Sequence, residues 1–513
     1  MCQVFLPAVP VPGQREAADP DFETVLRDQL GGPAHRLAEL NCELARIGIR
    51  APAALPLLLE ASQCYLAKHD YLMQKRYAAQ AYDCACAWGD PVAKVRAGMA
   101  LAVASCWTGD LGVVRAHADR AAAYLDGLDD AAIGGLLPEL ADLSWVEAQL
   151  QRLRHAEVRQ RRGLAVAEAY EAEDHWILLQ VLLGSTLRER GELDEAEAHA
   201  EQALEAADLR DSAVHRELAL VALGEISLEA GDTERTHRLA EQAGAAADCD
   251  TRFGRAGAML IGMTLIQSGL PRDGRDVVLE AAGGRMLPLI PVASRARVHA
   301  ALAAADAALG HHAEAMRWSQ LAMCTTWTCD QDRTLGYAQL ARAEALLGTE
   351  PGAALRAAEA SRHAFERAGV RLGLAAANRI VGAAQGRLDQ PDASASALAR
   401  AEELYRRSAA PLAAENVRLM RAAAPAPAAE ALDDDPAAIE CLSPRETQVA
   451  RLVAQGCSNQ QIAGVLDIKL NTVQVHVGRI LRKLRVPSRT AVARLVTLAE
   501  AGESVAAGWH SSN

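Results

Sequence analysis

The residues with the most chemistry to offer lie in one short run, KLNTVQVHVGRILRK, from Lys469 to Lys483. Wound at 100° per residue, Val473, Val477, Ile480, Leu481 and Leu484 fall within about 100° of one another and make a stripe for burial. Asn471, Val475, Gly478, Arg479 and Arg482 fall on the opposite side. A valine among amides and guanidiniums is out of place on a face meant only for water. It suits a DNA major groove, where it can touch a thymine methyl. Asn471 and Gln474 carry amides able to read adenine, and Gly478 removes a side chain where a duplex would approach. Arg479, Arg482 and Lys483 suit phosphates, as does Lys469 just before the helix, and Thr472 adds a hydroxyl contact near its start. This is recognition chemistry, and its partner is double-stranded DNA.

Such a helix has to be held by others. Ser443 is a good N-cap, Pro444 fits a first turn, and Glu446 three residues on completes a capping box. Val449, Leu452 and Val453 line one face up to Gly456. A second short helix starts at Ser458 or Asn459 and packs Ile462, Ala463 and Leu466. A tight turn over Asp467–Lys469 leads to the third helix, from about Leu470 to Leu484, and a fourth begins at a Ser488 cap. His476 sits between stripe and surface and is read as structural. Charge supports the same partner. The window 441–499 holds nine basic residues and two acidic ones, net +7, in a chain of net charge −13, so the remainder carries −20. A small basic block at the end of an acidic body is a footprint for a polyanion.

At this point the segment resembles the LuxR-type helix-turn-helix domain of bacterial regulators. The matching positions are Leu442, Pro444-Arg445-Glu446, Val449, Leu452 and Gly456, then Ser458-Asn459, Ile462-Ala463 and Leu466. Thr472-Val473, His476, Leu484 and Ser488-Arg489 follow in order. The resemblance implies a third helix in the major groove, with Thr472, Gln474, Val475 and Gly478 facing DNA. It also implies two domains on a two-fold-related site, hence a homodimer, and RNA polymerase as a further partner. Lys469 stands where the family usually has a serine cap, and Gln474 and Gly478 stand where it is often cationic. Both departures imply an altered sequence preference. Dimerisation could use Val492, Leu495 and Leu498 on the fourth helix, or the body of the chain.

That body is long and repetitive. The chain has 513 residues, half of them apolar, with 4% aromatic and abundant alanine, which favours helix. From about Ala34 to Arg421 a pattern recurs: a small residue in one helix, a glycine turn seven residues later, then alanines in the next helix. The turn glycines Gly191, Gly231, Gly269, Gly310 and Gly348 step by 40, 38, 41 and 38 residues, and Gly109 lies 82 before Gly191. Each copy reads as a helix hairpin in which glycine supplies the positive φ that closes the first helix. A lone hairpin cannot bury its apolar face, so eight or nine of them stack into an α-solenoid with a concave surface. The pattern resembles tetratricopeptide repeats, lengthened by several residues per copy and poorer in aromatic positions. The fold class is therefore all-α: an α-solenoid of tetratricopeptide-like hairpins followed by a four-helix helix-turn-helix domain.

The boundaries follow: a loosely ordered, proline-rich leader over 1–33, the repeats over 34–421, a linker over 422–439, the DNA-binding domain over 440–502 and a tail over 503–513. The linker reads AAAPAPAAEALDDDPAAI, too rich in proline and acid for the stack. No lysine follows a glycine, so the phosphate-binding loop of larger LuxR-type regulators is missing and no cofactor is expected. Eleven cysteines with no CxxC pair suggest neither disulfide framework nor metal site. No run of eighteen apolar residues offers a membrane span, and a cytoplasmic protein is expected. Paired carboxylates and nucleophile–base sets are lacking, which argues against an enzyme. The repeats then read as a sensor or partner-binding module for a small-molecule or protein effector, controlling the DNA-binding end. A pure scaffold and a sigma-factor-like polymerase subunit are the rival classes.

Overall fold

A computed structural model describes residues 33–245, 252–329, 331–423, 442–455, 457–468 and 470–484, together with 489, 492, 493 and 496. The side chains of 33, 245, 252–254, 423, 470, 471, 474 and 482 lie outside that description. The described residues contain helices and no strand, and the chain divides into two compact units, 1–418 and 419–513.

The first unit opens with α1 (Pro33–Ile47), α2 (Ala54–Ala67), α3 (Tyr71–Trp88), α4 (Pro91–Thr108), α5 (Leu111–Leu125) and the short α6 (Asp130–Gly134). It continues with α7 (Leu137–Gln149), α8 (Leu153–Ala169), α9 (Glu173–Arg190), α10 (Leu193–Leu209), α11 (Ala213–Ala230) and α12 (Thr233–Ala245). Then come α13 (Arg252–Gln267), α14 (Pro271–Ala281), α15 (Val292–Ala308), α16 (His312–Thr328) and α17 (Asp332–Leu346). It closes with α18 (Pro351–Ala368), α19 (Arg371–Arg387), α20 (Pro391–Arg407) and α21 (Pro411–Ala423). The last of these helices ends at Ala423, two residues inside the range 422–439 expected as linker. Residues 424–441, the leader before 33 and the tail 503–513 lie outside the described residues.

Two kinds of helix alternate. In α9 every residue from Ile177 to Arg188 is buried, and in α4 every residue from Ala97 to Trp107. By contrast α10 buries a single stripe, Leu193, Ala196, Ala200, Ala203 and Ala207. A helix covered all round is an inner layer, and a one-stripe helix is an outer layer facing water. Small residues set the spacing between the layers. A Cβ on Gly184 of α9 would sit 2.9 Å from the Ala196 carbonyl oxygen of α10. On Gly274 of α14 it would sit 2.5 Å from the Gly262 carbonyl oxygen of α13.

Gly109, Gly191, Gly231, Gly269 and Gly310 all hold positive φ, as hairpin closure requires. Gly348 does not: α17 ends at Leu346, Leu347 caps it in right-handed geometry, and the glycine needs no left-handed conformation. The returns from outer to inner helix at Glu171 and Asp211 use left-handed residues that are not glycine, and so do the inner-to-outer turns at Gln151 and Asp389. Their signal is backbone conformation without a residue type to announce it.

The solenoid also closes on itself, which hairpin stacking alone does not dictate. Arg295 Nη2 donates to the Trp107 carbonyl (2.9 Å), Gln331 Nε2 to Gln149 (3.1 Å) and Arg371 Nη1 to Gly191 (3.0 Å). These pairs are 188, 182 and 180 residues apart, and a Cβ on Gly231 would meet Ala413 N at 2.8 Å in the same relation. One superhelical turn thus lies directly on the turn before it. Part of the concave surface expected from hairpin stacking is enclosed rather than open.

Candidate nucleic-acid interface

The second unit is built by caps before it is built by packing. Ser443 Oγ accepts from Glu446 N–H (3.4 Å), and Glu446 Oε2 accepts from Ser443 N–H (2.8 Å), starting α22 (Pro444–Ala454). A second capping box starts α23 (Asn459–Leu466): Gln461 N–H donates to Ser458 Oγ (3.2 Å), and Ser458 N–H to Gln461 Oε1 (2.7 Å). Its signature is the Ser-x-x-Gln spacing of Ser458 and Gln461. Asp467 then turns the chain with φ of 50°, and α24 (Leu470–Lys483) follows.

The core beneath is small. Val473, Ile480 and Leu484 from α24 meet Val449, Val453 and Ile462, with Val477 and Leu481 packed at the edge. This is the predicted stripe, and it fixes which way α24 faces. Thr472, Gly478 and Arg479 are exposed, and Val475 is half exposed at 50%. A Cβ on Gly478 would meet nothing within 4 Å. Thr472, Val475 and Arg479 thus share one outward stripe. Asn471, Gln474 and Arg482 are helical there, but their side chains fall outside the described residues, as does Lys469 altogether. His476 is half-buried, and its Nδ1 is buried without a hydrogen-bond partner among the described residues.

Several basic residues have duties inside the unit. Lys483 Nζ is 2.6 Å from Glu446 Oε2, so it braces the capping box of α22 instead of standing free for a phosphate. The Lys483 ammonium and the Ser443 N–H hold the Glu446 carboxyl down to about 2. Arg445 donates to the Leu466 carbonyl (2.9 Å) and closes the end of α23. Arg489 donates to Asn459 Oδ1 (2.8 Å) and to the Cys457 carbonyl. Arg479 has no ion pair among the described residues and is the cation this face presents outward. Lys483 and Glu446 are 37 residues apart, so no local pattern announces their pairing.

The fourth helix is described at Arg489, Val492, Ala493 and Val496. Val492 is 1% exposed and belongs to the core, so it is not available as the dimer contact expected above. The predicted Ser488 cap, Leu495 and Leu498 lie outside the described residues.

Residues 440–496 match the family of bacterial regulatory proteins, luxR family. This segment is a LuxR-family domain. Its relatives include the nitrate/nitrite response regulator protein NarP of Escherichia coli strain K12, 49% identical over 59 residues. The match covers 12% of this chain and 26% of that protein. The response regulator protein VraR of Staphylococcus aureus is 47% identical over 51 residues, 10% of this chain and 24% of its own. The chain thus spans about a quarter of the curated relatives it matches, and the likeness is confined to the LuxR-family domain. The repeat unit has its own counterpart in a Rap protein crystallised with competence and sporulation factor. The TM-score is 0.53 at 10% identity, over 70% of this chain and 99% of that one. That likeness is one of fold, a tetratricopeptide-like α-solenoid.

Proposed function

We propose that this chain is a sequence-specific DNA-binding transcription regulator, with the repeat unit acting as the sensor or partner-binding module that controls it. The observation that carries the reading is the outward face of α24. It combines an exposed apolar side chain at Val475, a hydroxyl at Thr472, open space at Gly478 and an outward cation at Arg479. Water alone gives no reason to keep that combination; a major groove does, through a thymine methyl, a phosphate and close approach of the backbone. Asn471, Gln474, Arg482 and Lys469 complete the proposed contact set, with Lys483 acting mainly through Glu446. Binding as a homodimer on a two-fold-related site, with contact to RNA polymerase, follows from the LuxR-family resemblance. The Rap protein of similar fold is crystallised with a factor bound, which favours a partner or effector for the repeats here.

The test is selection of genomic fragments by the full-length chain at low salt. Recovery of fragments sharing one sequence supports the proposal. Retention of no fragments, or of fragments without a common sequence, overturns it in favour of a helical scaffold.

A further inference from the structure

The closed superhelix holds a partly open cavity of about 170 Å³ between α7, α8, α9, α11, α13, α15 and α17. One wall is apolar, with Met259, Leu260, Met263, Ile290 and Val298. The other is polar, and its polar groups are not used up. Trp145 Nε1, Arg188 Nε and Arg333 Nη2 are buried donors without a partner among the described residues. Gln149 Oε1 and Gln160 Oε1 are buried acceptors in the same state, and Ser185 Oγ can act as either. Trp145, Gln160, Ser185, Arg188 and Arg333 are each more than nine-tenths buried. Folded chains pair almost all such atoms, so six around one cavity call for an explanation.

The charges around it balance. Arg188 lies 3.2 Å from Glu225 and 3.4 Å from Glu229, Arg297 lies 2.5 Å from Glu229, and Arg333 lies 2.7 Å from Glu189. Burial pushes Glu189 up, but Arg333, Arg188 and Arg297 outweigh it and bring the carboxyl down to about 2. Three guanidiniums therefore pair with three carboxylates, of which Glu189 and Glu225 line the cavity and Glu229 lies outside its lining. A ligand with a net charge would meet no net opposite charge and would lose its hydration on entry. An apolar core would have stabilised the solenoid at least as well as this cluster. Its unused donors and acceptors are better explained as one half of a recognition site.

We infer that this cavity binds a small amphipathic molecule of no net charge, its polar end both accepting and donating hydrogen bonds and its aliphatic end lying on the methionine wall. A free aliphatic α-amino acid in zwitterionic form has this chemistry. Size limits the choice. The volume is close to the roughly 150 Å³ of cavities that hold benzene, so one residue fits and a helix does not. Methionines adapt their shape, which suits an aliphatic chain of variable length. The site stands on the repeat unit alone; only its regulatory meaning rests on the proposed control of DNA binding.

Calorimetry on the full chain, without DNA, tests it. The probe is L-leucine, with isovalerate and isoamylamine as singly charged controls. We expect one leucine per chain, with Kd on the order of 1 mM or tighter and at least about tenfold weaker binding of both controls. Gln160→Leu removes an acceptor without touching a charge and should weaken binding about tenfold. Met263→Trp fills the apolar end and should abolish it, with the circular dichroism spectrum of both variants unchanged. No heat from any probe, equal binding of the charged controls, or full binding by folded Met263→Trp would overturn the inference. Arg479→Ala, which addresses DNA alone, should leave the calorimetry unchanged, so the two proposals fail separately.

Discussion

The repeat unit and the LuxR-family domain are both helical, yet they use glycine in opposite ways. Within the repeat helices, Gly184 and Gly274 mark where another part of the chain presses close: a Cβ there would run into carbonyl oxygens at 2.9 and 2.5 Å. In the LuxR-family domain, Gly464 and Gly478 lie within exposed helix faces where a Cβ would meet nothing within 4 Å. Helix propensity disfavours both. Smallness inside the solenoid is explained by packing, whereas smallness on α24 has no partner within the unit and is explained by something outside it. The two regions also treat charge differently. The repeats bury it in matched clusters, while the LuxR-family domain keeps Arg479 facing out.

Acid should separate the regions most strongly. Burial lowers His117, His175 and His299 to about 4, with Arg120 adding to the effect at His117. An unfolded imidazole titrates near 6.5. Between these values the unfolded state takes up protons that the folded repeats refuse, so stability falls as pH drops from about 6.5 to about 4. Each imidazole removes on the order of 3 kcal/mol across that window. In the LuxR-family domain, Glu446 contributes stability that is fully present above the usual carboxylate pKa and is lost progressively as pH falls from there to about 2. Six of the seven tryptophans lie in the repeats, so fluorescence reports that unit. Its transition should come well above pH 4, with the LuxR-family domain still helical. Simultaneous loss of both would break the comparison.

The glycines give the next largest effects. Gly274→Ala should destabilise the repeats by about 1–3 kcal/mol, because backbone must move to admit the methyl. Gly464→Ala and Gly478→Ala should each stabilise the LuxR-family domain by about 0.5–1 kcal/mol, read as a raised melting temperature. Gly478→Ala should weaken DNA binding at the same time, and Gly464→Ala should not. If the two alanines behave alike on DNA, the open space beside Gly478 has no role in docking.

Glu446→Gln keeps shape and can still accept from Ser443 N–H, but it leaves Lys483 without its carboxylate. A loss of about 1–2 kcal/mol is expected, smaller than for Gly274→Ala if the cap survives. Lys483 keeps a further interaction besides Glu446, so DNA affinity at low salt should hold.

How far these features could be read in advance follows from their range along the chain. Gly191 and Gly231, the Ser443–Glu446 box and the Val473–Leu484 stripe depend on neighbours within a turn or two, and the residue types declare them. Gly348 misled because a glycine at the right interval need not adopt positive φ when the preceding helix closes by right-handed turns. The Lys483–Glu446 pair, and the contacts that set Arg295 on Trp107 and Arg371 on Gly191, join residues whose sequence contexts are unrelated. The cavity depends on those long contacts, which is why Trp145, Gln160, Ser185, Arg188 and Arg333 gave no motif to read.

The most direct test of the account is the salt dependence of DNA binding by full-length protein, wild type against Arg479→Ala, on a selected duplex. The account predicts weaker binding of the variant at every salt concentration and a log–log slope shallower by about one, the loss of one phosphate contact. A variant with unchanged slope and affinity would contradict the assignment of the outward face of α24 to DNA.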